Sequence, residues 1–198
     1  LSLAEQHATS YTTPRDATAT TYAQVLMPVD FSPQSWKLLS TARLLAEAFR
    51  SHLRVVHVDP EARWRDAGDR QRIVRSTPFG ESVELDDVAE RDAATGIARV
   101  LGHDESALLV MSKHGHSGIA ELALGGTAKA VLRLWTGPLL TGGPQFGVGA
   151  GPIRRIVICV GPSATSTALL VDAGRWASTL RARVDLLSVV VGRRLLRT

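Results

Sequence analysis

Two stretches of this sequence carry residue types and spacings that could do chemistry. In the first, Asp30 follows the apolar run 25–29 and precedes Ser32 and Pro33. A carboxylate between a strand end and a helix start can accept hydrogen bonds from ribose hydroxyls or support a metal. It can also simply close an Asx-turn that leads into a Ser32 helix cap. In the second stretch, a polar, glycine-containing loop runs from Met111 and Ser112 through His114, Gly115 and Gly118 to Gly125, Gly126 and Thr127, where a helical segment begins. Free backbone N–H groups and the helix dipole at such a start favour a phosphate.

Other chemistries find less support. The run Gly125, Gly126, Thr127, Ala128, Lys129 lacks the Gly-x4-Gly-Lys-Ser/Thr spacing of a Walker-type phosphate loop. His114 and His116 are two apart in a loop, and His52, His57 and His103 are dispersed, so no zinc pattern forms and His114 is expected to orient the loop or hydrogen-bond locally. No Ser/His/Asp set with a nucleophile elbow is visible; Ser32 reads as a cap and Ser117 as a loop residue. The single cysteine, Cys159, lies in the apolar run 156–160 and is expected to be a buried structural thiol.

The elements that must position these residues alternate between strand and helix. The run 25–29 is a strand, Ser32 an N-cap with Pro33 at the first helical position, and Leu38, Leu39, Ala42, Leu45, Ala46 and Phe49 one apolar helix face. A second strand follows over 53–58. After it a short helix is expected around 62–74, a strand over 82–85, and a helix over 91–101 with Ala94, Ile97, Ala98 and Leu101 on one side. The continuous apolar run 107–111 is a strand covered on both faces. A helix over 127–135 buries Val131, Leu134 and Trp135 and stops at Gly137 and Pro138, and Leu139 and Leu140 form a last short strand. Strands alternating with helices imply an α/β fold, a doubly wound, mostly parallel sheet that binds ligands beyond its C-terminal strand ends.

An internal repeat sets the domain organisation. Each position from Val25 to Val58 resembles the one 131 residues later, with identities at Val29/Val160, Ser32/Ser163, Ser35/Ser166, Leu38/Leu169, Leu39/Leu170, Ala42/Ala173, Ala46/Ala177 and Val58/Val189. Such a period suits a duplicated domain. The expected organisation is a flexible segment over 1–21, a complete unit over 22–145, a Gly/Pro linker over 146–152 and an incomplete strand-helix-strand unit over 153–198. About 45 residues bury too small a fraction of their surface to stand alone. This second unit is therefore expected to dock on the first, or on a dimer of it.

Composition narrows the class further. In 198 residues, 44% hydrophobic content and a mean hydropathy of +0.04 fit a soluble protein with a sizeable core. No run approaches the roughly 18 apolar residues of a membrane helix, and the N-terminal stretch is polar, so a cytoplasmic location is expected. A formal charge of +4 is weak steering, and the arginines are scattered apart from short clusters, which argues against nucleic acid. Lysine is rare: Lys37, Lys113 and Lys129 are the only three.

The segments VLMPVDFSPQS, VVHV, and ALLVMSKHGHSGIAELALGGTAKAVLR followed by GPLL resemble, in order and separation, the signature segments of universal stress proteins. The resemblance implies a Rossmann-like fold of the adenine nucleotide alpha hydrolase type, with a five-stranded sheet. It implies a stress-response protein that binds ATP, with or without Mg²⁺, or a related adenine nucleotide, is regulatory rather than catalytic, and dimerises. Pro28, Val29 and Asp30 would line the adenosine end, Val58 would touch adenine, and Gly115, Gly125, Gly126 and Thr127 would hold phosphates. The family's ATP-binding pattern is Gly, two residues, Gly, nine residues, Gly, then Ser or Thr. Laid on this chain it meets Ser112, Gly115, Gly125 and Gly126, so the first and last positions depart. A Cβ at Ser112 crowds the ribose, and Gly126 lacks the hydroxyl, which Thr127 could supply from one position on. A second register, Gly115, Gly118 and then Gly126 with Thr127, keeps the residue types but is two residues short. Gly161 stands where Asp30 would recur, and no phosphate loop follows it, so the second unit is not expected to bind nucleotide. Two rivals remain open: a nucleotide-free scaffold module, favoured by Ser112 and Gly126, and at most slow ATP hydrolysis, with Asp30 the only candidate base.

Overall fold

A computed structural model describes residues 22–59, 85–104, 106–113, 124–143, 151–161 and 165–188. They fall in two compact units, one within Thr21–Ala150 and one within Gly151–Thr198. The expected helix at 62–74, the linker 146–152 up to residue 150, and the segment 1–21 lie outside the described residues.

In the first unit, β1 (Gln24–Val29), β2 (His52–Asp59), β3 (Leu85–Ala89), β4 (Ala107–Ser112) and β5 (Leu139–Gly142) form one parallel sheet in the order β3-β2-β1-β4-β5. Helix α1 (Pro33–Phe49) connects β1 to β2, α2 (Ala93–Leu101) connects β3 to β4, and α3 (Gly126–Leu134) precedes β5. The sheet is doubly wound because its strands are apolar on both faces. On one face Leu26, Val56, Val58, Ala107, Leu109 and Met111 pack with Ala94, Ile97 and Leu101 of α2 and with Ala128, Val131 and Trp135 of and beside α3. On the other, α1 covers the sheet with the six apolar residues expected of it, all buried. Full burial of Leu38, Leu39, Leu45 and Phe49 stabilises by roughly 1.5–3 kcal/mol each.

Local chemistry sets the helix ends. The Ser32 hydroxyl accepts the Ser35 N–H (3.2 Å), and Pro33 occupies the first helical position, where no N–H is needed. Asp92 caps α2 by accepting the Thr95 N–H and hydroxyl, both at 2.7 Å, and the hydroxyl bond above all holds its carboxyl below the ordinary carboxylate range. At the N-terminal edge of the sheet, away from the strand ends that matter below, Gln24 Nε2 donates to Asp104 (3.0 Å) and ties β1 to the turn before β4.

Three expectations about elements and burial are corrected. The strand expected at 82–85 is β3, Leu85–Ala89, whose Asp86 pairs with Arg54 of β2; a cross-strand ion pair rather than apolar alternation marks it. Leu134 is 53% exposed, because α3 turns Ala128, Val131 and the following Trp135 to the core and leaves Leu134 about a quarter-turn away. Cys159 is exposed rather than buried.

The reason for that last difference is the build of the second unit. It consists of β6 (Arg155–Cys159), α4 (Thr165–Leu180) and β7 (Arg183–Leu187), with β6 and β7 parallel. The repeat extends to single hydrogen bonds. Ser51 N–H donates to Ala46 O at 2.8 Å, and 131 positions on Ala182 N–H donates to Ala177 O at 2.9 Å. Arg50 and Arg181 both end their helices in the left-handed region, at φ 56° and 53°. One face of β6 packs on α4, but the other, carrying Val157 and Cys159, has no counterpart of α2 and α3 among the described residues. Leu26 is fully buried while its equivalent Val157 is 50% exposed, and Leu38 and Leu39, at 2% and 0%, correspond to Leu169 and Leu170, at 46% and 40%. No helix among the described residues is long and apolar enough to cross a membrane.

Candidate functional site

The strand order reverses at β1, whose neighbours β2 and β4 lead outward in opposite directions. Here the sheet also opens. Strand β1 pairs with β2 along all six of its residues, but with β4 only at Gln24, Val25 and Leu26. Pro28, lacking an N–H, lies in the stretch where the ladder to β4 has already ended. A crevice at the carboxyl ends of the strands, at the switch point, is where doubly wound sheets hold ligands.

A cavity of about 350 Å³ occupies this place. Its walls bring together Pro28, Val29 and Asp30 from β1, Val58 from β2, Met111 and Ser112 from β4, and Gly125, Gly126 and Thr127 at the start of α3. These residues were anticipated from sequence as ligand contacts. His114, Gly115 and Gly118 lie outside the described residues.

Asp30 makes the Asx-turn that the sequence allows: one carboxylate oxygen accepts the Ser32 N–H (3.0 Å) and the Ser32 hydroxyl (2.6 Å). The turn is tight enough to put Phe31 at φ 60°, with its ring 4.3 Å from that of His57 and 5.9 Å from that of Trp36. The turn holds the carboxyl group in place at the cavity wall. Structural and ligand-binding roles for Asp30 therefore coexist.

The other wall is the start of α3. Gly125 is its N-cap, has an extended backbone and contributes no side-chain cap, and no acidic residue lies in the first turn. The first N–H groups of a helix have no partner within it. Here those of Gly126, Thr127 and Ala128 belong to residues that line the cavity. The end is fixed to the sheet, since Gly125 N–H donates to Lys113 O (2.9 Å) and Lys113 N–H to Gly142 O (2.8 Å). A Cβ at Gly126 would meet nothing within 4 Å, so this glycine is not demanded by space.

Four kinds of lining residue were not anticipated: His57, Lys113, Ala128, and the pair Ala93 and Ile97 on α2. His57 Nδ1 lies 2.9 Å from Val29 O; a carbonyl only accepts, so Nδ1 carries the proton and Nε2 is the acceptor of the neutral ring. A polar residue one position before Val58, in a run otherwise buried, was the available signal. Ala93 and Ile97 sit one helical turn apart, and the loop before them gave no periodic pattern to place their face.

The base of the cavity has little slack. A Cβ on Gly96 would lie 2.7 Å from Cγ1 and 2.9 Å from Cγ2 of Val58. Glycine mid-helix costs helix stability, and this close approach to β2 is what requires it. Gly96→Ala is expected to destabilise the fold by about 1 kcal/mol, overpacking of about 2 kcal/mol being partly offset by about 1 kcal/mol of helix propensity. Urea denaturation measures this, and a stabilised variant would show that Val58 moves aside freely.

No group of three or more His, Cys, Asp or Glu that could hold a metal occurs among the described residues. The arrangement offers a carboxylate at one end, an apolar floor, and an uncapped helix start at the other.

Comparison with known proteins bears on this geometry. The model of the universal stress protein family matches residues 21–141. Comparison with curated proteins returns no match. Among solved structures, one from Pseudomonas aeruginosa UCBPP-PA14, described as a universal stress protein, superposes with a TM-score of 0.56 at 16% identity, covering 85% of this chain and 61% of that one. The universal stress protein UspA from Lactobacillus plantarum gives a TM-score of 0.46 at 15% identity, over 61% of this chain and 97% of that one. A universal stress protein in complex with cAMP gives 0.48 at 19% identity, over 62% and 98%.

Proposed function

We propose that this chain, which belongs to the universal stress protein family, binds ATP or a related adenine nucleotide in the switch-point crevice and acts in the cytoplasm as a regulatory stress-response protein rather than a catalyst. One observation carries the reading. A single cavity at the carboxyl ends of β1, β2 and β4 collects Asp30, Val58 and the uncapped start of α3, three features suited in turn to ribose, base and phosphate. Val58, Ile97, Ala93 and Met111 supply an apolar surface for adenine, and Asp30 an acceptor for ribose hydroxyls. Phosphates would lie at Gly125, Gly126 and Thr127, where backbone N–H groups and the helix dipole favour negative charge. A regulatory role suits a site in which Asp30, the one lining carboxylate among the described residues, is engaged by Ser32 rather than poised over a water.

Titration calorimetry with ATP and Mg²⁺ tests the proposal; saturable heat supports it, and no heat at millimolar nucleotide would sink it. The second reading, a nucleotide-free scaffold module, is favoured by Ser112 and Gly126 standing where the family's nucleotide-binding pattern has glycine and a hydroxyl residue. The open space at Gly126 makes the two readings separable. Gly126→Ser adds the missing hydroxyl without a clash and is expected to tighten ATP binding about fivefold, the worth of about one net hydrogen bond. The same calorimeter reads it, and an unchanged constant would show that phosphate does not reach this position. The reading also has the chain homodimeric, which sedimentation velocity checks directly.

A further inference from the structure

We propose that Lys113 is the residue that makes this crevice selective for a polyphosphate nucleotide over a nucleoside, its ammonium pairing with the phosphates at the start of α3. The inference rests on the nucleotide-binding reading above and goes beyond it. It concerns a residue outside every position of the family's Gly, Ser and Thr pattern.

Lys113 follows β4 directly and lines the cavity. Its place is fixed from both sides, because its N–H bonds Gly142 O of β5 (2.8 Å) and its carbonyl accepts the N–H of Gly125, the N-cap of α3 (2.9 Å). A lysine is thereby anchored one backbone hydrogen bond from a helix N-terminus. That end already carries about half a positive charge, and a cation beside it is electrostatically unfavourable. Acidic residues normally compensate, yet α3 has none in its first turn. Two positive features are thus held against each other at one end of the cavity, while Asp30 lies at the end of the neighbouring strand β1. An anion bound between them would relieve this arrangement.

Chemistry identifies the class of anion. The flexible four-carbon stem of lysine carries a compact point charge suited to phosphate oxygens rather than to a fixed planar group. The apolar residues of the cavity take no part in that pairing, so the charge should affect phosphates and leave the nucleoside alone. Lysine is also rare in this chain: 3 of its 23 basic residues are Lys and the rest Arg, so a lysine at the cavity wall is not the chain's usual way of carrying positive charge.

The test compares ATP and adenosine in calorimetric titrations of the full chain, with wild type, Lys113→Met and Lys113→Arg. Expected for Lys113→Met is a loss of roughly tenfold or more in ATP affinity, the worth of a charge-assisted hydrogen bond, with adenosine affinity within about twofold and a shallower salt dependence for ATP. Lys113→Arg should keep most of the ATP affinity. Unliganded Lys113→Met should melt no lower than wild type. The inference is overturned, with the parent reading intact, if wild type binds ATP and Lys113→Met binds it as tightly. Equal loss of ATP and adenosine affinity also overturns it, since that marks a structural role. If wild type binds neither ligand, both readings fall together.

Discussion

Replacing Trp135 with alanine is expected to cost about 3–5 kcal/mol of folding stability, the range for deleting a large buried aromatic. Trp135 is the C-cap residue of α3, and its N–H closes the helix on Val131 O (2.8 Å). Its ring is buried against the cluster that α2 and α3 make on the sheet. The indole N–H donates to Pro138 O (3.3 Å), so the side chain spans the turn from α3 into β5. The fit leaves no room beside it: a Cβ on Gly137 would lie 2.2 Å from the ring, which is why a glycine occupies that turn. Alanine would leave both a cavity and an unpartnered carbonyl. Urea unfolding of the two proteins measures the difference, and a loss below about 1 kcal/mol would mean that the cluster collapses around the gap. Because Ala128 belongs to both this cluster and the cavity wall, nucleotide affinity should weaken alongside stability.

Asp30→Ala is expected to weaken ATP binding by about 1.5–3 kcal/mol, a factor of roughly 10 to 150. Part of that loss follows from the turn. The carboxylate accepts two hydrogen bonds from Ser32, and without them the backbone of Phe31, held at positive φ, loses its anchor. Asp30→Asn separates the contributions, since an amide oxygen can still accept from Ser32 but carries no charge for ribose hydroxyls. Calorimetry should place Asn between aspartate and alanine. If both variants bind ATP like wild type while melting at lower temperature, Asp30 serves the turn alone.

The fold was legible from the sequence wherever burial was two-sided or a helix carried a clear cap. The run 107–111 could only be an internal strand, and Ser32 with Pro33 placed the start of α1 to the residue. Strand β3 was harder, because an edge strand reading Leu-Asp-Asp-Val-Ala is held by its pairing to β2 and has no hydrophobic alternation to announce it. Leu134 and Cys159 misled for a shared reason: apolar character shows that a residue can be buried, while the cover comes from distant elements. In the candidate site, Asp30 and the glycines stood out because turn and phosphate chemistry act over a few neighbouring residues. Ala93, Ile97 and Lys113 did not, since their place at the cavity depends on the path of α2 and on the bonds that clamp Lys113 between β5 and α3.

The early end of the ladder between β1 and β4 also bears on speed. Where two strands already part after three paired residues, a ligand enters without breaking sheet hydrogen bonds or waiting for a segment to fold back. Such a preorganised cleft loses little freedom on occupation. Its association rate should therefore rise in proportion to ligand concentration without reaching a plateau set by a slow rearrangement, and differences among ligands should reside in how long each one stays.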